Sequence, residues 1–75
     1  MNNTAYAHTD NKGQIFVKTV SETKRAAMVN TLVTLFREPV YQQDSDNHIA
    51  SLYTEKTNQY GGSIKPVTIH ISNVI

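Results

Sequence analysis

The chain reads as a small α+β domain in the order β-β-α-α-β. The expected architecture is a three-stranded, mostly antiparallel sheet with two helices packed on one face. Three observations predict it. Val67, Ile69 and Ile71 alternate with Thr68, His70 and Ser72, which is the two-residue period of a strand. Gln14 to Val20 alternates in the same way, behind a turn at Asp10-Asn11-Lys12-Gly13. Between these stretches, from Ser21 onward, apolar residues recur at helical spacing.

The first strand spans Thr4 to Thr9, with Tyr6 and His8 on one side and Ala5 and Ala7 on the other. Asp at the first turn position and Gly at the last fit a type I turn that closes a short hairpin, with Gly13 free to take a positive φ. In the returning strand Ile15 and Val17 are expected to face the core and Phe16 and Val20 the opposite side. Ser21 is the expected N-cap of a helix from about Glu22 to Phe36, where Glu22 meets the positive end of the helix dipole. Met28, Val29, Leu32, Val33, Leu35 and Phe36 form its apolar stripe, leaving Lys24, Arg25, Thr31 and Thr34 outside. Pro39 forces Glu38 out of helical geometry and ends that helix. Asp44, Ser45 and Asp46 are alternative caps for a second helix from Asn47 to Tyr60, whose apolar positions are Ile49, Leu52, Tyr53 and Tyr60. Gly61-Gly62 stops it, one glycine taking the left-handed cap. Pro66 makes the last strand an edge strand or marks its first residue.

With 75 residues and no linker long enough to divide it, the chain is expected to form a single domain over residues 1–75. Burial of apolar surface contributes roughly 110 kcal/mol for a chain of this mass. Ordering the chain costs about the same at roughly 1.5 kcal/mol per residue. Stability is therefore marginal, and small domains gain the difference from disulfides, metals or partners. The chain has no cysteine, which removes disulfides, thiolate nucleophiles and cysteine-ligated zinc. His8, His48 and His70 are too widely spaced for a metal motif. A homodimer or a partner surface is the route left open.

Net charge is +1, and charged residues make up only 17% of the chain, a balance that gives little steering toward phosphate backbones. Met1-Asn2-Asn3-Thr4 carries neither the basic start nor the apolar run of a signal peptide. No stretch approaches the ~20 apolar residues of a membrane span. The expected location is the cytoplasm. No reaction motif is present either: Gly61-Gly62 follows a helix instead of opening one, and no histidine neighbours a carboxylate pair. The chain is read as non-enzymatic, with no cofactor and no metal.

Tyr6-Ala7-His8-Thr9, then Gly13-Gln14-Ile15-Phe16-Val17-Lys18-Thr19-Val20, lead into Thr23-Lys24-Arg25-Ala26-Ala27-Met28-Val29-Asn30. This strand-to-helix junction resembles small accessory proteins of tailed phages and prophages, in which a Gly-x-Ile/Leu-x-Val-x-Thr strand runs into a Thr-x-Arg-x-Ala helix start. The likeness covers about a third of the chain. It implies a phage or prophage origin, hence a host bacterial cytoplasm, and gives Thr23 and Arg25 structural roles. The expected function is binding to a host or phage protein, such as a component of a defence system, by occluding its surface. The expected contact surface is the open sheet face or a free strand edge, carried by Tyr6, His8, Phe16, Lys18, Thr68 and His70. The alternative is a weak nucleic-acid-binding or transcription-modulating domain that uses Lys18, Lys24, Arg25 and Lys65. That patch lacks an aromatic platform and enough charge to hold nucleic acid at physiological salt.

Overall fold

The computed structural model describes residues 2–70, and side chains from residue 4 to residue 68. It contains β1 (Asn2–Thr9), a single turn of 3-10 helix (Val17–Thr19), α1 (Lys24–Thr34), α2 (Asp46–Tyr60) and β2 (Ser63–His70). The class is α+β. Ile71 and Ser72, the end of the expected last strand, lie outside the described residues.

The sheet differs from expectation. It has two strands, β1 and β2, paired antiparallel from Asn2 opposite His70 to Thr9 opposite Ser63. Pro66 lies opposite Tyr6. The Tyr6 N–H and C=O both bond to Ser21 on the other side of β1, at 2.8 Å each. Pro66 therefore occupies a rung where β1 asks for no amide, and β2 tolerates it as an edge strand.

The stretch Gln14 to Val20, expected as the third strand, does lie along the other edge of β1 but does not form a continuous ladder. Two isolated bridges hold it, Thr9 with Ile15 and Tyr6 with Ser21. Between these bridges β1 supplies two residues and the returning chain five, so three are in excess. The 3-10 turn takes them up. Thr19 repairs the broken rung: its Oγ1 accepts the His8 N–H at 2.8 Å and donates to the Phe16 carbonyl at 2.6 Å. The break also reverses the expected faces. Ile15 and Val17 point to solvent, Val17 being 77% exposed, while Phe16 is half-buried against His8. A large aromatic ring buries more area than either branched neighbour, and the turn lets it do so.

The hairpin turn forms as expected. The Gly13 N–H bonds to the Asp10 carbonyl at 3.1 Å, and Asp10 Oδ1 accepts from the amides of Lys12 and Gln14. Gly13 has φ +83°, the region where a side chain would be strained.

α1 begins two residues later than expected because Ser21 is already engaged with Tyr6. Thr23 is the cap instead, its hydroxyl accepting the Ala26 N–H at 3.1 Å. At the other end the Phe36 N–H reaches the Thr31 carbonyl and the Glu38 N–H the Leu32 carbonyl, at 3.1 and 2.7 Å. Arg37 lies between them in the left-handed region, with φ +58°. α2 is capped by Ser45, which accepts from the His48 N–H at 3.1 Å, and it ends at Gly61-Gly62, both with positive φ. A Cβ on Gly62 would fall 2.5 Å from the His8 imidazole and 2.6 Å from the Thr9 carbonyl, so the chain passes there only as glycine.

α1 touches β1, the 3-10 turn, α2 and β2. The buried cluster consists of Val29 and Leu32 from α1, Val40 from the connector, and Ile49 and Tyr53 from α2; Met28, Phe36, Leu52 and Ile64 pack against it. From β2 it is thus Ile64 that meets the core, while Val67 is half-buried on the opposite face, opposite Ala5. Thr31, expected outside the stripe, is fully buried and returns its hydroxyl to the Ala27 carbonyl at 2.7 Å. Among the described residues no helix is long and apolar enough to cross a membrane.

Candidate interaction surface

An apolar strip runs over the junction of the 3-10 turn with the C-terminal ends of both helices. Phe16, Leu35, Phe36, Lys56 and Tyr60 line an open groove of about 360 Å³. A smaller one of about 160 Å³, lined by Phe16, Val17, Lys18, Thr34 and Leu35 among others, adjoins it. Phe16 and Leu35 belong to both, so the two grooves flank one ridge. Tyr60 is 64% exposed and stacks on Phe36 with ring centroids 5.7 Å apart, and Leu35 is 39% exposed. Clustered exposed apolar side chains mark contact sites more often than isolated ones do.

Local sequence explains why these residues remain outside. Helix α1 ends at Thr34, so Leu35 and Phe36 leave the stripe that Leu32 continues into the core. Phe36 folds back against His8, and Leu35 faces out. Tyr60 is the last residue of α2, beyond the turn on which Tyr53 reaches inward. At the groove rim Lys56 Nζ pairs with Glu38 at 2.7 Å, and that bond pushes the lysine pKa above its ordinary value.

Behind the strip lies a buried polar pair. His8 is 2% exposed, Tyr53 is 6% exposed, and His8 Nδ1 is 2.6 Å from Tyr53 Oη. The rings of Phe16, Phe36 and Tyr53 surround the imidazole at centroid distances of 5.4, 5.9 and 5.8 Å. Burial lowers the His8 pKa, partly opposed by the Asp10 carboxylate, and burial raises that of the Tyr53 phenol. The pair is therefore neutral together near pH 7. In the tautomer with the proton on Nε2, the phenol donates to Nδ1.

Of the six contact residues expected from sequence, Phe16 and Lys18 line the strip. Tyr6 and His8 share the even-numbered face of the sheet with Thr68 and His70, as the register requires. That face is not open along its length. His8 is inside the fold, Tyr6 is half-buried with Lys24 Nζ 5.8 Å from its ring centroid, and Thr68 is exposed. The His70 side chain lies outside the described residues.

The four basic residues of the alternative reading do not form one patch. Arg25 ties α1 to the loop before α2, donating to Asp46 Oδ1 at 2.6 Å, Gln42 Oε1 at 3.2 Å, and the Gln42 and Asp44 carbonyls at 2.5 and 2.6 Å. Lys24 lies over Tyr6. Lys18 lines the small apolar groove, while Lys65 lines a separate groove of about 430 Å³ with Thr9, Asp10, Ile15, Pro66 and Val67 among others. Among the described residues no cluster of three or more His, Asp or Glu side chains could hold a metal ion.

Sequence reasoning weighed Tyr60 as a core or rim aromatic but did not bring Leu35, Phe36 and Lys56 to a contact surface with it, nor Tyr53 to His8. Leu35 and Tyr60 carried one available signal, since each stands at the end of a helical stripe where the next turn is broken by Arg37-Glu38-Pro39 or Gly61-Gly62. The chain matches no protein-family model, no curated protein and no solved structure.

Proposed function

We propose that the chain is a non-enzymatic binding protein of phage or prophage origin that acts by covering a surface of a host or phage protein. The origin rests on the sequence resemblance carried by residues 6–9, 13–20 and 23–30, where the expected strand is replaced by two bridges and a 3-10 turn ahead of α1. The mode of action rests on the apolar strip, and the observation that carries it is the exposure of Val17, Leu35 and Tyr60 around two adjoining grooves. Interface centres are rich in aromatic and apolar side chains, as Phe16, Leu35, Phe36 and Tyr60 make this strip, while Lys18, Lys56 and Glu38 supply charge around them. The sheet face expected from sequence is the less suitable contact, because His8 is turned inward from it.

The test is capture from bacterial lysate with three tagged proteins: wild type, a Val17→Asp/Leu35→Ser variant, and a Thr68→Asp variant on the sheet face. Far-UV circular dichroism and melting curves establish that each is folded. The expected result is one protein species retained by wild type and Thr68→Asp and lost with the strip variant. Retention by all three, or loss only with Thr68→Asp, would refute the strip as the contact.

A further inference from the structure

The imidazole of His8 lies behind two residues that line the proposed binding groove. Two of the residues lining that groove, Phe16 and Phe36, lie directly against its ring, at 5.4 and 5.9 Å between centroids. The backbone repeats the connection: the His8 carbonyl accepts the Phe16 N–H at 3.0 Å. The His8 N–H donates to the Thr19 hydroxyl, which donates in turn to the Phe16 carbonyl. Phe16, the ridge between the two grooves, is thus fixed from both its ring and its main chain by one residue. On another side Gly62 approaches so closely that a Cβ would fall 2.5 Å from the imidazole.

We propose that His8 is a proton-sensing positioning residue for the apolar strip: when it gains a proton, the Phe16 ridge shifts and the partner surface is lost. The inference deepens the binding reading above and rests on it. Neutral His8 accepts from the Tyr53 hydroxyl at Nδ1. Protonated His8 is a donor at both nitrogens, so the bond to Tyr53 must reverse and the phenol proton loses its acceptor. The charge finds little compensation. Phe16 faces it from beside the 3-10 turn, Phe36 from the end of α1, the Tyr53 hydroxyl from α2, and Gly62 from the turn before β2. Asp10, on its own side of the hairpin, is the carboxylate that acts on it, and Asp10 Oδ1 is already bonded to two backbone amides. A buried cation that its one neighbouring carboxylate only partly offsets is relieved by moving toward water, and Phe16 and Phe36 lie between the ring and the open groove they line.

The test is an NMR pH titration of the wild-type protein, following the ring signals of His8, Phe16, Phe36 and Tyr60 and the methyl signals of Leu35, Ile49 and Leu32. Strip signals that shift with the His8 midpoint, while the Ile49 and Leu32 core methyls keep their folded positions, are the expected result. Strip signals that ignore His8, or that move only together with the core methyls in global unfolding, would overturn the proposal. A His8→Asn variant keeps an acceptor for Tyr53 and cannot take up the proton, so its strip signals should lose the shared titration. The lysate capture is then repeated on both sides of the His8 midpoint. Strip-dependent capture that is blind to this titration would end the proton-sensing inference and leave the binding reading intact. A titrating strip without strip-dependent capture would end the binding reading alone.

Discussion

Tyr53→Phe removes one oxygen atom and should destabilise the protein more than its size suggests. The phenol is 2.6 Å from Nδ1 of an imidazole that is 2% exposed, so no water replaces the missing partner. A buried polar atom left unpaired costs about 1–3 kcal/mol. The variant is relieved of burying its own hydroxyl, which leaves a net loss of about 1–2 kcal/mol. In a domain of this length each kcal/mol moves Tm by about 4–8 °C, so the fall should be about 5–15 °C. The assay is urea and thermal unfolding at pH 7.5, followed by far-UV circular dichroism. A double-mutant cycle with His8→Leu sharpens the test. Replacing both polar partners by apolar groups of similar shape is far less costly than orphaning one, so the double variant should be more stable than Tyr53→Phe alone. A Tyr53→Phe protein that melts within about 2 °C of wild type, or a double variant whose losses simply add, would refute the pairing of His8 with Tyr53 as a source of stability.

Thr19→Val keeps the side-chain shape and deletes the hydroxyl that completes the rung between His8 and Phe16; equilibrium urea unfolding should register a loss of about 1–3 kcal/mol. Arg37→Gly releases a left-handed residue at φ +58°, and the same assay should show a gain of about 0.5–1 kcal/mol, since the relief of strain exceeds the added chain entropy. Acid should weaken the fold through His8. Its folded pKa lies below the ordinary 6.5, so the unfolded chain takes up the proton first. This contribution is complete above about pH 6.5 and is lost as pH falls through the folded value, which unfolding curves collected between pH 8 and pH 5 would register. In His8→Asn that part of the pH dependence should disappear.

The parts of the fold that were legible in the sequence are those set by local chemistry. Asp10 and Gly13 specify a turn whatever lies beyond it, Gly61-Gly62 cannot continue a helix, and Pro66 is tolerated only where β1 leaves its rung unbonded. The parts that were not legible depend on which residues win a place in a small interior. Ile15 and Val17 alternate as a strand should, but Phe16 between them takes the buried site, and the 3-10 turn discards the register that alternation implied. Ser21 is an excellent cap by composition, yet its backbone is drawn into a bridge with Tyr6, and Thr23 caps instead. His8 looked like a polar residue on an open face because its partner is 45 positions away, and no periodicity announces a bond across that separation. The same separation hid the strip: Phe16, Leu35 and Tyr60 come together only when the hairpin and both helix ends meet.

Everything proposed for this surface depends on Phe16 sitting between His8 and Leu35 while Val17 looks outward. The most direct measurement is a set of nuclear Overhauser contacts from the ring protons of Phe16. Contacts to both the His8 imidazole and the Leu35 methyls, with none from the Val17 methyls to Leu32 or Ile49, are predicted. Val17 and Ile15 methyls that contact the core while the Phe16 ring contacts neither neighbour would mean an unbroken third strand, and would contradict the account.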